Sequence, residues 1–90
     1  MNIDFKKLEN ILPPNLPHNI LDVWLKLTTV EEPDPEIFND SIEILNSQLL
    51  NLHNQAKVFS LYILAICYKA IGNTFMFKDC LDDIKKCHSP

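Results

Sequence analysis

The stretch AKVFSLYILAICYKAIGN, from Ala56 to Asn73, decides how the chain folds. Its residues from Ala56 to Ile71 are apolar nearly all round a helix, with only Lys57, Ser60 and Lys69 as clear interruptions. Such a segment predicts a central helix covered on several sides, and Gly72-Asn73 supplies the left-handed position at which a helix stops. The apolar run from Val58 to Ile71 is too short for a bilayer, which requires about 20 predominantly apolar residues.

Working outward, proline divides the remaining sequence at Pro13-Pro14, Pro17, Pro33, Pro35 and Pro90, because proline begins helices but is excluded from their interiors. A short helix is expected from about Asp4 to Leu12, with Phe5, Leu8, Ile11 and Leu12 at spacings of three and four. A second is expected near His18 to Thr28, placing Ile20, Leu21, Trp24, Leu25 and Leu27 on one broad face opposite Asp22 and Lys26. Trp24 within this stripe reads as a core anchor, although tryptophan is also enriched at interfaces.

Glu31 to Glu36 forms an acidic linker stiffened by Pro33 and Pro35, and its end carries a helix start: Asp34 as N-cap, Pro35 at N1, Glu36 beside the positive end of the helix dipole. The third helix then runs to about Leu52. Phe38, Ile42, Leu45, Leu49 and Leu52 step by four and three along it, and Ile37, Ile44 and Leu50 widen the stripe. After the polar turn at residues 52–55 comes the central helix. A last helix from about Thr74 to Lys86 has Phe77, Leu81 and Ile84 as its inner stripe, with Asp79, Asp82, Asp83, Lys85 and Lys86 outside. The expected fold is all-α: about five helices in antiparallel hairpins forming a single domain over residues 1–90, with N-terminal helices in 1–30, the acidic linker at 31–35 and a three-helix part in 36–90.

Composition excludes several classes. Ninety residues allow one small core, and 47% hydrophobic with 22% charged residues is ordinary globular usage. A single glycine is too few for sandwiches, barrels or phosphate-cradling loops. All eight basic residues are lysine against twelve carboxylates, so the chain carries a net charge of −4 and no arginine fork for phosphate. Nucleic acid is therefore disfavoured as a partner, including the helix-turn-helix alternative. The first residues lack the order of a secretory signal, and the three cysteines cannot all pair within one chain, so a cytoplasmic protein with reduced thiols is expected.

Leu61, Leu64, Ala65, Tyr68 and Gly72, followed by Leu81 and Ile84, form a pattern that resembles a tetratricopeptide repeat, a pair of antiparallel helices in about 34 residues. The small Ala65 permits close helix approach and Gly72 the reversal, while Phe77 stands where the repeat has a small residue. The run from Leu64 to Lys69, with Gly72 and Leu81, is also similar to small bacterial chaperones of type III secretion systems, the kind that holds the needle subunit before export. That resemblance implies a partner helix clasped in an apolar groove, together with a smaller co-chaperone. It also implies that Phe59, Tyr62, Ile63, Ile66 and Ala70 line the groove with Lys69 at its rim, since the repeat motif occupies the other side of the same helix. The alternative is that helices two and three cover this face and make Phe59 and Tyr62 plain core.

Chemistry is sparse. Cys67, Cys80, Cys87, His53 and His88 lack the paired spacing of two to four residues typical of structural zinc sites, and Cys67 and Cys80 read as small apolar fillers. No nucleophile elbow, HExxH pair or glycine-rich loop occurs; Asp82-Asp83 point apart on a helix and read as a solvated face. His18, His53 and His88 fall at helix ends and turns. No enzyme activity, metal or cofactor is expected. The function expected is that of a chaperone or adaptor masking an amphipathic helix of another protein; the alternative is a structural or regulatory subunit that self-associates through the same face.

Overall fold

The computed structural model describes residues 12–13 and 16–88. The expected helix from Asp4 to Leu12 lies outside these residues except for Leu12. Among the described residues the chain is all helical and contains no strand: α1 spans His18–Thr29, α2 Pro35–Leu49, α3 Asn54–Ala70 and α4 Thr74–His88. Each helix packs on the next across a short connection, α1 on α2, α2 on α3 and α3 on α4. None is long and apolar enough to cross a membrane.

Local chemistry sets most of the boundaries. Asp34 caps α2 by accepting a hydrogen bond from the Ile37 backbone N–H at 3.0 Å, with Pro35 in the first turn. The side-chain oxygen thereby satisfies one of the amides that a helix start leaves unpaired. At the far end of α3 the Gly72 N–H donates to the Lys69 carbonyl at 3.1 Å and the Asn73 N–H to the Tyr68 carbonyl at 2.9 Å. This paired reversal is a Schellman motif, and it requires the positive φ of +79° that Gly72 adopts. Asn73 then opens α4, its Oδ1 accepting from the Met76 N–H at 3.2 Å.

Four expectations are corrected by the structure. The third helix was expected to reach Leu52, but α2 stops at Leu49, and hydrogen bonds from Asn51 N–H to Gln48 O and from Leu52 N–H to Leu49 O close a turn there. Leu50 is consequently flung out at 93% exposure, whereas Leu52 turns back into the core. His53 then precedes α3, which starts at Asn54 with a φ of 56°, two residues before the expected Ala56. In α1 the buried residues are Ile20, Val23, Trp24 and Leu27, and Leu25, expected on the inner face, is 48% exposed. In α4 the inner stripe is Cys80 and Ile84 with half-buried Met76 and Phe77, while Leu81 turns outward. The last two differences are partial rotations of a helix about its axis, which hydropathy alone leaves undetermined on a short helix.

The core centres on α3, whose Phe59, Ser60, Leu61, Ile63, Leu64, Ala65, Cys67 and Tyr68 are all buried. Its contacts with three neighbours follow from its all-round apolar sequence, and burying each large side chain contributes about 1.5–3 kcal/mol.

Candidate functional site

The residues expected to bind a partner all lie on α3, and the structure divides them by depth. Phe59 and Ile63 have no exposed surface. The Phe59 ring meets Trp24 of α1 edge to face, with centroids 5.3 Å apart and planes at 64°. A partner therefore cannot touch Phe59 or Ile63 without opening the core: instead of lining a groove, both are core residues, Phe59 against Trp24 of α1. Tyr62 and Ile66 are half-buried, and Lys69 and Ala70 are exposed. These four, not the expected six, are the part of that face available at the surface.

The stripe they form extends back to Val58, also half-buried, so Val58, Tyr62, Ile66 and Lys69 recur at spacings of four, four and three along α3. That spacing keeps them on one helix face. Lys69 at its end is held over the Phe77 ring, with Nζ 4.8 Å from the centroid, a cation–π contact that ties the rim of the stripe to α4. Val58 and Leu25 were missed in the sequence: Leu25 was assigned inward, and Val58 had no distinguishing neighbour to mark it.

The repeat-like residues occupy other arcs of the same helix. Leu61, Leu64, Ala65 and Tyr68 are buried, as is Ile84 on α4. Leu81 is 37% exposed and leaves that set. The Tyr68 hydroxyl accepts a hydrogen bond from Asn46 Nδ2 at 3.1 Å, pinning α2 to α3.

A second, open depression of about 390 Å³ lies where the end of α2 meets the start of α3 and the end of α4, lined by Leu49, Leu61, Lys57, Asp83 and Lys86 among others. Nothing in the sequence pattern marks it, since its walls come from three helices. The described residues include no group of three or more His, Cys, Asp or Glu side chains placed to hold a metal ion.

The buried thiols are chemically quiet. Burial, with a smaller contribution from Cys80, pushes the Cys67 thiol up to about 12. Burial and then the charges of Asp83 and Asp79 push Cys80 up to about 11. Both remain protonated near neutral pH, and a protonated thiol is a poor nucleophile and metal ligand.

Comparison of the chain with protein-family models, curated proteins and solved structures yields no match.

Proposed function

We propose that this protein is a small helical interaction module that holds an amphipathic helix of another protein against the stripe of Val58, Tyr62, Ile66 and Lys69. The observation that carries this reading is that the central helix, buried on its other arcs, leaves this one apolar strip half-open and ends it with an exposed lysine. On α1, Leu25 is a further exposed apolar side chain next in sequence to Trp24, whose ring meets Phe59 of α3. An amphipathic helix laid along the strip buries anchors spaced at three and four residues, and an acidic side chain at its end would meet Lys69.

The finer reading follows from the resemblance alone: a chaperone in the bacterial cytoplasm that masks a type III secretion subunit before export, together with a small co-chaperone. It assigns no catalytic step and no cofactor. Masking works by burial, because an exposed amphipathic helix self-associates through its apolar face.

The test is retrieval of the full chain from its native cytosol, with light scattering to fix stoichiometry and mass spectrometry to identify what is retained. The reading expects a helical protein at fixed ratio, lost in Ile66→Glu but not in a variant of the distant Leu50. A homodimer that Ile66→Glu dissociates would replace it by self-association through the same strip. A monomer retaining nothing would remove both.

A further inference from the structure

The open depression of about 390 Å³ at the junction of α2, α3 and α4 is separate from the strip, since none of Val58, Tyr62, Ile66 and Lys69 lines it. We infer that it is a binding site for a small aliphatic monocarboxylate, a short or medium-chain fatty acid. The tail lies on Leu49, Leu50 and Leu61, and the carboxylate meets Lys57 and Lys86.

The walls of the cavity carry the assignment. Their apolar part comes from three leucines, of which Leu61 is buried and Leu50 is 93% exposed, so the lining runs from the core out to the surface. A tail seated there covers the most exposed large apolar side chain among the described residues. The charged part is cationic: Lys57 of α3 and Lys86 of α4 converge on one opening, against the single carboxylate of Asp83. Among the described residues neither lysine is held in an ion pair. An anion relieves the repulsion between two ammonium groups around one cavity. Lysine presents a point charge on a flexible stem that can follow a single carboxylate, and its methylenes extend the apolar wall. Two lysines less one aspartate leave one surplus positive charge, which balances a carboxylate. A phosphate monoester, at about −1.5 to −2 near neutral pH, would exceed it. Cavities that take small organic molecules span about 300–1,000 Å³, and this one lies at the small end, as a single aliphatic chain requires.

The test uses the full chain and sodium octanoate below its micelle-forming concentration, followed by methyl resonances. Saturable shifts are expected at Leu49, Leu50 and Leu61, and not at Val58 or Ile66. From butanoate to octanoate each added methylene should tighten binding about fourfold until the cavity is full. Octanol and octylamine, which carry the tail without the negative charge, should bind the unmutated protein about tenfold or more weakly. The double variant Lys57→Gln/Lys86→Gln should lose about tenfold in octanoate affinity with helicity unchanged. Bound octanoate should also slow thiol labelling of exposed Cys87, which lines the cavity. Shifts that do not saturate, shifts centred on Val58 and Ile66, or octanoate affinity retained in the double variant overturn the inference. Equal binding of octanol and octanoate by the unmutated protein overturns it whether or not the double variant folds.

Discussion

Ser60 is fully buried, and its hydroxyl has no hydrogen-bond partner among the described residues. Ser41 shows the usual solution in the neighbouring helix, its hydroxyl donating to the Ile37 carbonyl one turn back at 2.7 Å. An unpaired buried hydroxyl costs about 1–3 kcal/mol, and alanine is the better helix former. Ser60→Ala is therefore expected to stabilise the protein by about 1 kcal/mol, read from urea unfolding with an unchanged slope. The two buried thiols give a pH signature. Their folded values of about 12 and 11 lie above the ordinary 9.0, so folding favours the protonated form. Below pH 9 both folded and unfolded states hold these protons and stability is at its full value. Between pH 9 and 12 the unfolded chain ionises first, and each thiol removes up to about 1.4 kcal/mol per pH unit. The double variant Cys67→Ala/Cys80→Ala should flatten that alkaline decline, measured by denaturation from pH 8 to 11. In native protein at pH 8 an aromatic disulfide reagent should label exposed Cys87 rapidly, and Cys67 and Cys80 only after unfolding.

At the scale of the element, the helices are defined by short polar signals at their ends, and these can be removed one at a time. Gly72 has no atom within 4 Å of the position a β-carbon would take, so Gly72→Ala carries only the backbone strain of a φ of +79°. That strain is worth about 1 kcal/mol, and Gly72→Asn should recover part of it because asparagine tolerates the left-handed region. Asp34→Ala should cost about 1 kcal/mol through loss of the cap on α2. Thermal unfolding of the three variants checks both statements. The end of α2 shows the limit of such signals: the apolar stripe continues to Leu52, yet the helix stops at Leu49, where the Asn51 and Leu52 N–H groups donate to the Gln48 and Leu49 carbonyls and close a turn.

At the scale of the whole molecule, the depth of Phe59 separates folding from binding. Phe59→Ala removes a fully buried ring from the Trp24 seam and should cost about 3–5 kcal/mol, enough to unfold a domain of this size, which circular dichroism would report. Ile66→Glu alters a half-exposed position and should keep native helicity while losing the partner. Equal loss of helicity in both variants would show that the strip is core, and would remove the proposed docking function.

Much of this architecture was legible in the sequence for a common reason: capping and turn formation depend on residues within one helical turn. Asp34-Pro35 started a helix and Gly72-Asn73 ended one where their side-chain chemistry required, and the composition of Ala56 to Ile71 alone marked the central helix. The sequence by itself thus determined that the described residues are helical, where most of their helices begin, and which helix the others surround. Only the tertiary structure decided how each helix is rotated about its axis. That rotation put Phe59 and Ile63 in the core, turned Leu25 and Leu81 outward, and left Val58, Tyr62, Ile66 and Lys69 as the open strip. The physical reason is that an all-round apolar helix offers several equivalent faces, and which of them stays open is set by where its neighbours pack, not by its own residues.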